Sequence, residues 1–184
     1  MKILYAASEA VPFCKTGGLA DVAGSLPPAL AEQGAETAVI LPLYRRVREK
    51  FADQLTFLCY DYVDLAWRHT YCGLFSMKKD GVTWYFLDNE QYFKREGGIY
   101  GYFDEAERFA FFSKAVLEPL THIDYEPDVI HCNDWQTALI PIYLKDDGVR
   151  EDRYRSIRTV LTIHNIEYQG RYDPYCLGLS LIHI

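Results

Sequence analysis

Long hydrophobic runs are missing from this sequence of 184 residues. No apolar stretch reaches the roughly 18 residues that a membrane-spanning helix needs. The apolar run after Lys2 has the length of a strand, which is too short for the core of a signal peptide. We therefore expect a soluble protein without a membrane partner.

The cysteines give no sign of a disulfide framework or of a redox motif. Their number is odd, no Cys-x-x-Cys occurs, and the sequence has no N-glycosylation sequon. These features favour free thiols in a reducing compartment, so the expected location is the cytoplasm. The cysteines are Cys14, Cys59, Cys72, Cys132 and Cys176.

Positive charge is also in short supply. The chain has 19 Lys and Arg against 26 Asp and Glu, a formal net charge of −7 and a pI of about 5.2. This balance argues against nucleic acid or an anionic membrane as the main partner. With 49% hydrophobic and 24% charged residues, the composition fits one globular domain with a sizeable core.

Several catalytic motifs are absent. The sequence lacks the dinucleotide-binding Gly-x-Gly-x-x-Gly and the P-loop, which disfavours nicotinamide dehydrogenases and P-loop ATPases. It also lacks Asp-x-Asp, paired His or Cys ligands and the lipase Gly-x-Ser-x-Gly. We therefore expect neither a metal ion nor an organic cofactor.

The most informative stretch present is residues 15–22, Lys-Thr-Gly-Gly-Leu-Ala-Asp-Val. It follows an apolar run typical of a buried strand and precedes an apolar-periodic segment, residues 19–30, that predicts a helix. The first N–H groups of such a helix lack partners and attract anions, and two glycines let a ligand approach the backbone. The alternative is a tight turn carrying a surface lysine.

Strands and helices alternate along the rest of the chain, which predicts an α/β fold. We expect a Rossmann-like, mostly parallel sheet with helices on both faces. The motif-bearing helix should kink or end early at Pro27-Pro28, and a later helix should start with Asp104 as N-cap and Glu107 three residues on. The further expected strands are residues 35–42, 55–65, 71–77, 82–87, 127–131 and 157–163, with a turn at 79–81, a loop at 91–103 and a helix at 135–145 kinked at Pro141.

Polar side chains follow four of these strands at the point where each strand ends. Ligands of parallel sheets bind outside the carboxyl ends of the strands, so these side chains should converge on one edge. The four groups are Glu9 with Lys15, Asp88 with Asn89, Asp134, and His164 with Asn165.

Individual residues in these groups also allow plainer interpretations. His164 could be a core histidine, Asp134 a carboxylate stabilised by a helix dipole, and Asp21 a first-turn helix acid. The loop at 91–103 is either a linker or a binding loop that places Tyr100 over a substrate.

Three strings resemble signatures of one family, the bacterial glycogen synthases and plant starch synthases. The first is residues 15–22, and the second is His-Cys-Asn-Asp-Trp-Gln at 131–136, where Gln136 replaces the usual His. The third is Thr-Ile-His-Asn-Ile-Glu-Tyr-Gln-Gly at 162–170. The resemblance covers residues 1–176.

The resemblance implies the N-terminal Rossmann-like half of a GT-B fold, in which two domains face a cleft. It implies transfer of glucose from ADP-glucose to the non-reducing end of an α-1,4-glucan such as glycogen, with retention of configuration and without metal. By resemblance His164 contacts the transferred glucose and Asp134 is the acidic residue of the sugar site, which makes both candidate catalytic residues. The candidate substrate-binding residues are Lys15, Gly17, Gly18, Asp21, Glu9, Tyr100 and Asn165.

In the family a second domain supplies most nucleotide contacts, so we expect the present chain alone to be inactive. Residues 177–184 do not continue the family pattern and are expected to be a truncated or artefactual tail. A stand-alone module that binds a sugar or nucleotide without turnover remains an alternative. A domain resembling response regulators is disfavoured, because only Glu9 follows the first strand where paired acids would be needed.

Overall fold

The computed structural model describes residues 1–145, 154–176 and 178. Its centre is a seven-stranded sheet with the order β3-β4-β5-β2-β1-β6-β7. The five strands β5, β2, β1, β6 and β7 run parallel to one another, whereas β4 is antiparallel to both β3 and β5. The strands are β1 (Lys2–Ala6), β2 (Glu36–Pro42), β3 (Thr56–Leu65), β4 (Arg68–Lys79), β5 (Val82–Asp88), β6 (Val129–Asn133) and β7 (Arg158–Thr162).

Five α-helices within the described residues accompany the sheet. They are α1 (Gly18–Glu32), α2 (Arg45–Phe51), α3 (Glu90–Phe93), α4 (Glu105–Ala115) and α5 (Ile140–Lys145). Single 3₁₀ turns stand at Ala52–Gln54, Glu118–Thr121, Trp135–Thr137 and Pro174–Cys176. The expected α/β class with a mostly parallel sheet is confirmed.

The central strands are buried on both faces. Successive residues of β1 are buried from Ile3 onward, and in β2 only Glu36 is exposed. Because neighbouring strand residues point to opposite faces, such runs require cover on both sides of the sheet. Helix α4 contributes Phe109, Phe111 and Phe112 to the same core, so its aromatic residues pack rather than bind a cofactor.

The antiparallel extension of the sheet follows from a turn that the sequence predicts. Asp80 and Gly81, with φ of 53° and 74°, connect β4 to β5 in the left-handed geometry of a two-residue hairpin. Asp-Gly is among the few pairs that adopt this geometry at low cost, so the predicted hairpin is confirmed.

Helix α1 does not end early at its prolines, and the prediction of one helix over residues 135–145 is wrong. Helix α1 continues through Pro27 and Pro28 to Glu32, and Pro27 is buried against the core. The expected helix at 135–145 is instead a 3₁₀ turn, Trp135–Thr137, followed after a break by α5. The Thr137 hydroxyl bonds the carbonyls of Asn133 and Asp134, and such local bonds compete with helix hydrogen bonding.

The expected cap of α4 takes a different form. Asp104 is the N-cap residue, but its carboxylate accepts two hydrogen bonds from Arg95 instead of capping the helix. Glu107 accepts a hydrogen bond from the Tyr92 hydroxyl, and Glu105 reaches back to the Tyr102 amide. The predicted loop at 91–103 is also shorter, because α3 occupies its first residues. The predicted tail at 177–184 lies outside the described residues except for Gly178.

Candidate active site

A cavity of about 990 Å³ opens at the carboxyl ends of β1, β6 and β7. The segments that follow these strands meet there with the start of α1 and with the loop after α3. The residues lining it are Glu9, Thr16, Gly17, Gly18, Leu19, Val22, Tyr100, Glu105, Asp134, Trp135, Gln136, His164, Asn165, Glu167, Tyr168, Gln169, Gly170, Arg171 and Tyr172.

The turn before α1 is organised by a buried carboxylate. Glu9 is 3% exposed, and its Oε2 accepts hydrogen bonds from the Thr16 amide at 2.5 Å and the Thr16 hydroxyl at 2.8 Å. Gly17 is the N-cap of α1 and provides no side-chain cap, so among the described residues no side chain caps the first N–H groups of the helix. A Cβ on Gly18 would meet nothing within 4 Å. The backbone here is therefore open to a ligand.

Lys15 and Asp21 lie beside this turn but do not line the cavity. The Lys15 Nζ contacts both carboxylate oxygens of Asp21, at 2.6 and 2.7 Å. Both side chains are about half exposed, at 52% and 56%. The lysine charge that the sequence places next to the glycines is thus held by Asp21 in this conformation.

Asp134 ties the end of β6 to the residues after β7. Its amide donates to the Thr162 carbonyl at 2.9 Å, and its Oδ1 accepts from the His164 amide at 2.7 Å. Its φ is 58°, a conformation that non-glycine residues rarely adopt. Only a single 3₁₀ turn follows, so stabilisation by a helix dipole does not explain this carboxylate. Its Oδ2 makes no hydrogen bond within the described residues.

His164 is half buried at the cavity wall, and the side of its ring that faces the protein interior makes a hydrogen bond. Its Nε2 lies 2.9 Å from Oδ1 of the fully buried Asn133. The neighbouring His131 ring bonds Thr162 Oγ1 at 2.8 Å and does not line the cavity. Burial and the nearby His164 lower the pKa of His131. His164 is therefore not a core histidine, and its neighbour Asn165 is exposed at the same wall.

Tyr100 reaches the cavity from the loop after α3. Its hydroxyl lies 2.6 Å from Ser8 Oγ, and burial holds its pKa well above the usual value. The loop is supported by the buried Arg108, whose Nη1 donates to the Ile99 carbonyl at 3.0 Å and to Glu105 Oε1 at 2.8 Å. The structure thus places Tyr100 at the cavity wall in a well-supported loop, and its contact with a substrate stays a prediction.

The group formed by Asp88 and Asn89 does not line the cavity. Asp88 accepts a hydrogen bond from Arg48 at 2.8 Å, and burial raises its pKa. Asn89 caps α3 through the Tyr92 amide and donates to the Tyr71 carbonyl. Asp88 and Asn89 lie at the predicted edge of the sheet, because β5 is parallel to β2. They do not line the cavity, and both instead stabilise the junction of β5 with α3.

Sequence reasoning missed an aromatic wall on the opposite side of the cavity. The Trp135 ring lies between Phe109 and Tyr172, with centroid distances of 5.3 Å to each. Gly170 has a φ of 58°, and a Cβ there would come within 2.5 Å of the Trp135 ring. Burial raises the pKa of Tyr172 to about 12. The glycine at position 170, at the end of the motif 162–170, was the one sequence feature that could have indicated a ring packed against the backbone there.

The charges around the cavity are mostly negative. Its described lining contains four carboxylates and a single guanidinium, that of Arg171. Glu105 is compensated by Arg108, but Glu9 and Asp134 accept only neutral donors. This arrangement suits a neutral, hydroxyl-rich ligand, and it leaves the uncapped N–H groups of α1 as the place for an anion.

Within residues 1–145, 154–176 and 178 no cluster of three or more His, Cys, Asp or Glu side chains could hold a metal ion. The helices in the same part of the chain are all too short or too polar to cross a bilayer. The five cysteines are free.

Comparison with known proteins identifies close relatives of the chain. A glycogen synthase of Exiguobacterium sibiricum is 53% identical over 187 residues, which cover 100% of this chain and 39% of the relative. A glycogen synthase of Clostridium botulinum is 50% identical over 178 residues, covering 96% of this chain and 37% of that protein. The present chain therefore spans less than two-fifths of the length of these relatives.

A solved structure of a related enzyme has the same fold as this chain. The catalytic domain of starch synthase IV from Arabidopsis thaliana, bound to ADP and acarbose, superposes with a TM-score of 0.82 at 31% identity. The match covers 97% of this chain and 36% of that one. Residues 2–182 also match the family described as the starch synthase catalytic domain. With a family match over nearly its whole length, the chain belongs to the starch synthase catalytic domain family.

Proposed function

We propose that the chain is the N-terminal part of a retaining glucosyltransferase. It transfers glucose from ADP-glucose to the non-reducing end of an α-1,4-glucan, in glycogen synthesis in the cytoplasm. The observation that carries the proposal is the meeting of three motif segments, 15–22, 131–136 and 162–170, at one cavity. The names of the relatives, glycogen synthase and starch synthase, support the same reaction.

The two halves of the donor fit different parts of the site. The diphosphate carries negative charge and suits the uncapped N–H groups of Gly18 and Leu19 at the start of the 15-residue helix α1. Lys15 can contact the diphosphate once its ion pair with Asp21 breaks. Breaking this pair costs little, because exposed ion pairs contribute only about 0–1 kcal/mol. The ADP of the Arabidopsis structure is consistent with a diphosphate ligand.

The glucose suits the polar wall formed by Asp134 and His164. A carboxylate oxygen without a partner and an imidazole edge are good acceptors for sugar hydroxyls. As the glucosyl–oxygen bond breaks, the sugar develops positive charge, which nearby acceptors stabilise in the transition state. Asp134 and His164 are therefore proposed to act on the reacting sugar.

The acceptor glucan is proposed to lie along the remaining wall. Glu9, Tyr100 and Asn165 present hydrogen-bonding groups, and Trp135 and Tyr172 present aromatic surface for sugar rings. The excess of carboxylates is compatible with an uncharged glucan. A facing domain, as in the GT-B arrangement, would complete the donor site.

The test uses the full-length gene product that contains this chain, purified and supplied with glycogen. We expect incorporation of radiolabelled glucose from ADP-glucose, and a much lower rate with UDP-glucose. The Asp134→Asn variant should lose most of this activity, whereas Asp124→Asn, at an exposed position away from the cavity, should retain it. Binding of ADP-glucose without any transfer to glycogen would instead identify a binding module, and the proposal would be abandoned.

A further inference from the structure

Asn133 is a fully buried polar side chain next to the cavity, and several hydrogen bonds fix it. It is 0% exposed, and its Nδ2 donates to the Ala6 carbonyl at 3.1 Å and the His131 carbonyl at 3.0 Å. Its own backbone is clamped by Thr137, whose hydroxyl accepts from the Asn133 amide at 2.6 Å and donates to its carbonyl at 2.9 Å. The amide group therefore has one orientation.

That orientation determines which atom faces His164. If the amide were flipped, its oxygen would face two backbone carbonyls and both contacts would become repulsive. The oxygen must therefore point toward His164 Nε2, 2.9 Å away. An amide oxygen only accepts hydrogen bonds, so the Nε2 atom of His164 must carry a proton.

The consequence concerns the other ring nitrogen. When the His164 ring is neutral, a proton on Nε2 leaves a lone pair on Nδ1. Nδ1 makes no hydrogen bond within the described residues, although the ring lines the cavity. A lone pair accepts from a hydroxyl but repels a phosphate oxygen, which is itself an acceptor.

We propose that Asn133 is a positioning residue that fixes the Nε2–H tautomer of His164, so that the histidine accepts a hydrogen bond from a sugar hydroxyl. The proposal deepens the proposed function, on which its kinetic part rests, because it assigns His164 to the sugar and excludes it from the diphosphate. The geometric part stands on the contacts alone.

The first test reads the tautomer directly. Long-range ¹H–¹⁵N spectra of the chain labelled at its five histidines are recorded at a pH where the His164 ring is neutral, with His164→Gln identifying its signals. We expect a protonated-type shift for Nε2 and an unprotonated-type shift for Nδ1. The reverse pattern, or equal populations of both tautomers, would overturn the proposal without bearing on whether the enzyme transfers glucose.

The second test removes the acceptor. In Asn133→Leu, which keeps the approximate size of the side chain, the His164 signals should show a mixed tautomer population. Asn133→Asp keeps an acceptor oxygen toward His164, and when its other oxygen is protonated and donates to the neighbouring backbone carbonyls it should restore the Nε2–H form. The matched control is Asn89→Leu, which removes a second buried asparagine at the β5–α3 junction and should leave the His164 pattern unchanged. An unchanged pattern in Asn133→Leu would count against the proposal.

The kinetic test uses the full-length gene product. Asn133→Leu should lower kcat by roughly 10- to 100-fold, less than removal of a group that touches the transition state, with KM for ADP-glucose little changed. Asn89→Leu should change neither constant. If the wild type makes no glucan, the proposed function fails while the tautomer result stands; if the wild type is active and Asn133→Leu is equally active, the positioning role fails alone.

Discussion

At the scale of single residues, His164 has two structural contacts and a proposed contact with the sugar. Its Nε2 edge bonds the buried Asn133, and its backbone amide bonds Asp134. Removal of the ring should therefore lower stability, and under the proposed function it should also lower the catalytic rate by a larger factor. The ratio of these effects is what separates an active-site histidine from a packing histidine.

For His164→Ala in the full-length gene product, we expect kcat to fall about 100-fold or more, because a group at the reacting sugar is lost. The free energy of unfolding should fall by about 1–3 kcal/mol, because Asn133 Oδ1 loses its partner. Steady-state kinetics and denaturant unfolding measure the two quantities. The matched control is His131→Ala, which breaks a ring bond to Thr162 outside the cavity and should reduce stability with kcat within a few-fold of wild type.

Lys15 is the residue whose predicted role depends on a conformational change. Its ammonium group is held by Asp21 rather than presented to the cavity. Lys15→Ala should weaken ADP-glucose binding by about 1.5–3 kcal/mol, the range for a hydrogen bond to a charged group. Asp21→Asn releases the lysine and should leave donor affinity unchanged or slightly higher. Titration calorimetry checks both, and equal losses in the two variants would show that the ion pair itself is required.

Residues could be located from the sequence where a strand end and a motif coincided. Glu9, Asp134 and His164 meet at the cavity as the strand pattern predicts, although their roles stay predictions. Asp88 and Asn89 have the same pattern but serve as an ion-pair partner and a helix cap. Asp88 and Asn89 differ from the cavity residues because Arg48 and the Tyr92 amide occupy their polar groups. The sequence of the strand alone cannot reveal these contacts.

At the scale of secondary structure, α1 is fixed against the preceding turn by a glycine. A Cβ on Gly24 would come within 2.2 Å of Val11 Cγ2 and 2.7 Å of the Val11 carbonyl oxygen. The close approach lets the Val11 amide donate to the Ala20 carbonyl at 3.0 Å. The position of the turn before α1 therefore depends on a residue several positions inside the helix.

Gly24→Ala should lower the free energy of unfolding by about 1–3 kcal/mol, the cost typical of overpacking, despite the better helix propensity of alanine. Gly18→Ala, at the open start of the same helix, should leave stability unchanged but weaken ADP-glucose binding, because the methyl group obstructs the backbone. Thermal unfolding and calorimetry separate the two. The combination Gly24→Ala with Val11→Ala should recover only part of the stability, since the carbonyl contact remains.

Elements with strong local signals were predictable, and elements decided by tertiary contacts were not. The Asp80–Gly81 hairpin needs only its own two residues, so the sequence predicts it correctly. Helix α1 continues through Pro27 and Pro28 although both lack an N–H donor, and Pro27 is buried, a tertiary contact that local sequence signals do not register. The break after Trp135–Thr137 depends on the Thr137 hydroxyl, a side-chain contact that apolar periodicity does not register.

At the scale of the whole molecule, the site is one wall of polar groups and aromatic rings with little positive charge. The described lining offers a single guanidinium against four carboxylates, and Lys15 stands outside it. A diphosphate leaving group requires stabilisation of its developing charge, and helix α1 supplies only part of it. The rest must come from groups beyond this wall.

We therefore predict that the 184-residue chain by itself does not synthesise glucan. The donor would stay solvated and loosely held, and transfer needs it fixed against the acceptor at near-contact distance. The assay measures incorporation of radiolabelled glucose from ADP-glucose into glycogen by the purified chain. Circular dichroism verifies folding, and the Lys15→Ala variant gives the background. Weak binding of glucan without turnover is the expected result, because the residues proposed to bind the acceptor belong to this chain. Turnover above the Lys15→Ala background would mean that one wall suffices, and that the carboxylate-rich cavity can stabilise a diphosphate without a facing domain.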